Sequence, residues 1–237
     1  MKTTMIDQAF EALKTFDWGA DRAVLNPIDE SVVSTHNDAA ARAELEKKLI
    51  SALEGSLTRA GKDFVCRNLM VIGTAASVPV LSKLLAQPDD AHLARFALER
   101  IPGVAARQAL LESLAKSKAA QLLGVISSLG SRLEPESIAA LSGLLNNENE
   151  KVSIAAASAL GAIRNLEAAK VLGGAKPASD SAKLAVIDAR LACAEGLLAQ
   201  GKAAEALPIY KSLVGNDVPK HVKLGATRGI LACAGKK

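Results

Sequence analysis

Apolar positions recur along this chain at spacings of three and four residues, in short runs that polar turns interrupt at regular distances. Such spacing lays the apolar side chains along one stripe of a helix. Residues 5–16 carry Ile6, Phe10, Leu13 and Phe16 on one side, and the block 20–33 carries Leu25, Ile28 and Val32, bent near Pro27. A longer helix is expected over 37–57, with Asn37 or Asp38 as its cap, Leu45, Leu49, Ala52 and Leu53 as its stripe, and Glu44 facing Lys48. The next helix spans 62–72, with Val65, Leu69 and Ile72 inward; its partner starts near Ser77 and places Pro79 in the first turn.

The same alternation continues to the end of the chain. Asp89 and Asp90 are expected to cap a helix that packs through Leu93, Phe96, Ala97 and Leu98. Pro102 and Gly103 punctuate, and a returning helix offers Leu110, Leu111 and Leu114. AQLLGVISSLG then pairs with a helix opened by Pro135, and 151–162 pairs with 166–173. The tract 173–181, GGAKPASDS, reads as a longer turn, after which Ser179 or Asp180 starts a long helix. Gly201 and Lys202 turn the chain back, and a last helix presents Val222, Leu224, Ala226 and Ile230 to the core before a frayed, basic GKK end.

The units are similar in size. Gly73, Gly103, Gly130 and Gly161 are read as ending equivalent helices, 30, 27 and 31 residues apart. A pair of short helices cannot bury its apolar face alone, so copies stack on one another. The expected fold is therefore all-α, a right-handed α–α superhelix of roughly six helical pairs. Residues 1–237 are expected to form a single helical-repeat domain: cap helices over 1–60, repeats over 61–175, and longer helices with a C-terminal cap over 176–237.

One segment carries a family likeness. NENEKVSIAAASALGAI resembles the first helix of a HEAT repeat, through Val152, Ala156, Ala159, Leu160, Gly161 and Ile163. Ser153 stands where that pattern usually has arginine, which weakens the expected ladder of charged contacts between repeats. Looser copies are DDAHLARFALERI and KAAQLLGVISSLG, with second-helix patterns in ASVPVLSKLL and ESIAALSGLL. The turn AQGKAAEALPIY resembles that of a tetratricopeptide unit. The resemblance implies a HEAT-like or armadillo-like solenoid, a module found in bacterial, often exported, multidomain proteins, acting as a scaffold or binding element. It implies no enzyme and no cofactor.

Composition narrows the chemistry. Apolar residues make up 49% of the chain and aromatics only 3%, so alanine and leucine carry the core and few rings remain for stacking on bases or sugars. The net charge of +4 is uneven: −3 over residues 1–60 and +5 over the last 57. Cys66, Cys193 and Cys233 are an odd set on apolar helical backgrounds, read as small buried hydrophobes. The N-terminus lacks the apolar run of a signal peptide and no apolar stretch reaches membrane-spanning length, so the chain is expected to be soluble and monomeric, cytoplasmic by default, with an exported parent protein open.

No catalytic or metal constellation emerges. His36, His92 and His221 are far apart, and His221 is read with Asp217 at a helix start. Cys66 beside Arg67 reads as core rather than as an activated thiolate. GTAAS at 73–77 could cradle an anion at a helix start, with a plain turn as the simpler reading. What remains is the surface offered by stacked pairs. The second helices expose Lys83, Gln87, Arg107, Glu112, Lys116 and Ser142, the candidate contact face for a protein partner or another domain of a parent chain. A basic set, Arg59, Lys62, Arg67, Arg95, Arg100 and Arg107, keeps nucleic-acid binding as a rival, and a deep pocket with two ionisable groups would favour a small-ligand or lyase-like protein.

Overall fold

A computed structural model describes residues 4–215 and 217–235, so Lys236 and Lys237 of the expected frayed end lie outside the described residues. The fold is all-helical and divides into two compact units, residues 1–116 and 117–237. The first unit holds α1 (Met5–Leu13), α2 (Asn26–Ser34), α3 (Ala39–Glu54), α4 (Arg59–Ile72), α5 (Val78–Leu85), α6 (Ala91–Arg100) and α7 (Val104–Lys116). The second holds α8 (Ala119–Ser131), α9 (Ile138–Ser142), α10 (Glu150–Ile163), α11 (Leu166–Gly173), α12 (Asp180–Ala199), α13 (Ala203–Ser212) and α14 (Lys220–Gly235).

Polar residues set the helix starts. Thr4 and Asp7 form a capping box at α1, each satisfying an amide that the first turn leaves without a partner. Asp38, Thr58, Asn149, Asn165 and Ser179 accept amide hydrogen bonds at the starts of α3, α4, α10, α11 and α12. Pro27 and Pro79 occupy first turns, where the missing N–H costs nothing.

Each unit is built in two layers. In the first, α2, α4 and α6 contact one another in succession, and α3, α5 and α7 form the opposite layer. In the second, α8, α10, α12 and α14 make one layer, and α9, α11 and α13 the other. The core runs between the layers. Leu69, Leu81 and Leu98 in the first unit, and Leu141, Leu160 and Leu197 in the second, are wholly buried. Burying a side chain of this size contributes about 2 kcal/mol.

Two of the four periodic glycines do something other than end a helix. Gly73 does cap α4 and Gly103 lies in the turn before α7 with φ of +95°, but Gly130 and Gly161 lie inside α8 and α10. A β-carbon at Gly130 would fall 2.8 Å from Cα of Ala159, and one at Gly161 would fall 2.9 Å from Cα of Ala189. They let the first-layer helices of the second unit approach backbone to backbone. The left-handed position after α10 is taken by Arg164, with φ of +54°.

Other expectations shift for local reasons. Glu44 pairs with Lys47, which leaves Lys48 to bridge to Asp7 on α1. Phe96 is 44% exposed because Ala91, Leu93, Ala94, Ala97 and Leu98 fill the inner face of α6. Leu224 is exposed, and Val222, Ala226 and Gly229 form the inner face of α14. The glycine is required there, because a β-carbon would overlap the buried ring of Tyr210.

Candidate binding surface

The polar side chains that the fold buries explain which surfaces are left to bind. Glu46 on α3 is only 4% exposed. Its Oε1 accepts hydrogen bonds from the Thr74 amide at 2.7 Å and from Ser77 Oγ at 2.6 Å, and Thr74 Oγ1 donates to both carboxylate oxygens. The GTAAS turn thus holds an anion, and the anion is the protein's own carboxylate, joining α3 to the start of the helical segment that leads into α5. A buried carboxylate with several donors is a strong tie.

Asp90 makes the corresponding tie one pair later. It stands at the start of α6 without capping it, because its carboxylate is drawn away to Lys62 Nζ at 2.5 Å, with Arg59 Nε at 3.9 Å. Arg59 also donates to the Asp89 carbonyl at 3.1 Å. Arg67 pairs with Asp63 at 2.7 Å and Arg95 with Glu99 at 3.2 Å. Four of the six basic residues that kept a nucleic-acid reading open therefore meet acids of their own unit, which lowers the charge left for phosphates.

Five of the six candidate contact residues lie in the first unit and one in the second. Lys83 and Gln87 come together in a groove of about 360 Å³ beside α5, with Leu53, Glu54, Gly55, Lys62, Val80 and Leu84. Glu112 and Lys116 are exposed on α7, where Gln108 Nε2 donates to Glu112 at 3.1 Å. Arg107 is half-buried, and at about 100° per residue it lies roughly 140° and 180° around α7 from those two. Ser142 belongs to the other unit and donates to the Ala139 carbonyl of its own helix at 2.8 Å.

The remaining hollows are surface grooves. One, of about 410 Å³, is lined by Phe10, Ala52 and Leu57 with four ionisable groups, Asp7, Glu11, Lys14 and Lys48. Those groups pair as Asp7–Lys48 and Glu11–Lys14, at least 44% exposed, so their charges are met by each other and by water. A third groove of about 300 Å³ is lined by Cys66, Arg67, Met70, His92 and Phe96. Burial pushes the Cys66 thiol up to about 12, the opposite of activation, and the Cys193 thiol up to about 11. Cys233, expected to be buried with them, is only half-buried.

His221 bonds to Asp188 across 2.9 Å rather than to Asp217, linking α14 to α12. Among the described residues no three His, Cys, Asp or Glu side chains gather as a metal site, and no helix is long and apolar enough to cross a membrane. Two residues passed unnoticed in the sequence. Glu46 carried a signal in retrospect, lying 28 residues before Thr74 and 31 before Ser77, close to the spacing of the glycines. Arg190 carried none, since nothing along the chain marks an arginine that will be half-buried with its Nε unpartnered. No family model matches the chain, and a search of curated proteins finds no significant match to it.

Proposed function

We propose that the chain is a HEAT-like α-solenoid, read as a single helical-repeat domain over residues 1–237, that works without catalysis by binding another protein or another domain of its parent polypeptide. The observation that carries this reading is the recurrence of contacts one repeat length apart. Glu46 meets Thr74 across 28 residues, Arg59 meets Asp89 across 30, Asn146 meets Lys176 across 30 and Asp188 meets His221 across 33. Ties of this sequence separation are what stacked helical repeats make between neighbours. Ser153, in the position where a HEAT pattern has arginine, is buried and donates to the Leu145 carbonyl, so this repeat is fastened by a short hydroxyl in place of a charged ladder.

The binding surfaces we favour are the second-helix layers of the two units, with Lys83, Gln87, Glu112 and Lys116 on the first and Ser142 on the second. Their support is chemical. These side chains are polar and at least partly accessible, and Lys83 and Gln87 border a groove floored by Val80 and Leu84, an apolar floor with a polar rim. The test is capture of partners from a native extract by the immobilised wild-type chain and by a Lys83→Glu, Lys116→Glu variant of equal helicity. A protein identified by mass spectrometry with the wild type and lost with the variant supports the reading. Equal capture by both would remove this face.

A further inference from the structure

In each unit a first-layer helix keeps apolar side chains in solvent. In the first unit α2 packs on α1 and α4 with Ile28 and Val32 buried, and in the second α14 packs on α12 and α13 with Val222, Ala226 and Gly229 buried. On α14, Leu224 and Leu231 are 57% and 69% exposed, with Thr227 and Arg228 exposed between them. Leu191 of α12 lies against Gly225, about 100° and 120° around the helix from the two leucines. Tyr210 of α13 lies against Gly229, about 140° and 160° from them. The leucines therefore form a two-turn stripe that points away from both neighbours.

The exposed face of α2 has the opposite charge. Val33 is 75% exposed and borders a groove of about 420 Å³ with Asn26, Asp29, Glu30 and Ser34. It lies about 140° around the helix from the buried Ile28. α2 carries two acids and no cation; Asp29 is met by Arg22 at 2.9 Å, and Glu30 forms no ion pair among the described residues. α14 carries Lys220, Lys223 and Arg228 and no acid, and none of the three forms an ion pair among the described residues. The acids of its neighbours, Asp180, Asp188 and Glu195 on α12 and Glu205 on α13, belong to the two helices that the leucines turn away from. Asp180 and Asp188 are held by Lys183 and His221, and Asp217 lies ahead of the first turn of α14. The same polarity runs through the chain, −3 over residues 1–60 and +5 over the last 57. A lipid surface suits α14 alone, whereas a second copy of the chain accounts for both faces. From this complementarity we infer that α14 of one molecule docks on the α2 groove of another, Leu224 and Leu231 against Val33 and Arg228 against Glu30.

Such a contact uses one face from each copy and leaves the other face of each free, so association continues past the dimer unless it closes into a ring. Helices of nine and sixteen residues make a small interface, for which a dissociation constant of about 10 to 100 µM is expected. This departs from the monomer expected of the sequence, and it is independent of the partner reading, which concerns the second-helix layers. The test is sedimentation of the full chain from about 1 to about 300 µM, a range that brackets that constant. The samples are the wild type, Leu224→Glu with Leu231→Glu, Glu30→Lys with Val33→Lys, and an equimolar mixture of the two variants. All four positions are exposed, so helicity and melting temperature should match the wild type. The expected result is a wild-type mass that rises with concentration, less steeply at about 0.5 M salt than at about 0.05 M. Each variant alone stays monomeric, and the mixture forms a one-to-one dimer and stops there, because each variant keeps one intact face. A monomeric wild type, self-association of the Glu30→Lys, Val33→Lys variant through α14 alone, or a mixture that stays monomeric while the wild type associates would overturn the inference. A monomeric wild type that binds phosphatidylserine vesicles and loses them with Leu224→Glu and Leu231→Glu would give the α14 face to a lipid surface instead.

Discussion

The two units of this protein both pack their helices in two layers and hold neighbouring helices together by different means. In the first, buried or half-buried charges do it: Glu46 on Thr74 and Ser77, and Asp90 on Lys62 and Arg59. In the second, absent side chains do it: Gly130 against Ala159, Gly161 against Ala189, and Gly229 under Tyr210. The layering is thus indifferent to the chemistry of the junction. What it demands is that adjacent pairs approach closely, and either a satisfied ion or a missing β-carbon permits this.

That contrast predicts which changes each unit tolerates. The largest effect is expected from Gly161→Val, which forces branched carbon into the backbone of α12 and costs about 3 kcal/mol through overpacking. Glu46→Ala should follow at about 2 kcal/mol, since the Thr74 and Ser77 donors are left buried without their acceptor. Both are read as shifts in denaturant midpoint. Asp90→Asn, which keeps the shape and removes the charge beside Lys62, is expected to cost about 1 kcal/mol.

The buried thiols can sharpen the comparison unit by unit. Cys66 lies in the first unit and Cys193 in the second, 2% and 0% exposed. Alkylation of the native protein should modify Cys233 first and reach the other two only through local opening. Glu46→Ala should then hasten labelling of Cys66 and leave Cys193 slow, and Gly161→Val should do the reverse. Equal acceleration at both sites would mean that the units open together.

The smallest effect is electrostatic and confined to α1. The Thr4 hydroxyl, and after it Lys48, hold the Asp7 carboxyl at about 2, below the ordinary 3.8. A carboxylate lowered in the folded state stabilises above its unfolded pKa and loses that contribution as pH falls through the folded value. The melting temperature of the wild type should therefore exceed that of Asp7→Asn at pH 5, with the gap closing between about pH 4 and pH 2. A gap that persists at pH 2 would assign the effect to shape.

The helices were legible in the sequence because periodicity and caps are local. Asp38 and Ser179 announce their helices whatever lies opposite them, whereas Thr58 was missed and α4 starts three residues earlier than its apolar stripe suggested. The junctions were not legible, because their meaning depends on a residue distant in sequence. Gly161 looks like a helix end until Ala189 is placed against it, and Asp90 looks like a cap until Lys62 takes its carboxylate. Phe96 shows the same limit from the other side: five alanines and leucines were enough to fill the inner face of α6, and the ring was left outside. Of the candidate face, the pairing of Lys83 with Gln87 follows from their spacing of one helical turn, whereas the half-burial of Arg107 depends on neighbours that spacing cannot specify.

The central claim is that a partner protein is held on the second-helix layer. Chemical cross-linking of the captured complex, read by mass spectrometry at lysines, tests it most directly. The account predicts partner cross-links from Lys83 and Lys116 in the first unit and from Lys170 and Lys211 in the second. Cross-links confined to Lys151, Lys183 and Lys223, on the first-layer helices α10, α12 and α14, would contradict it.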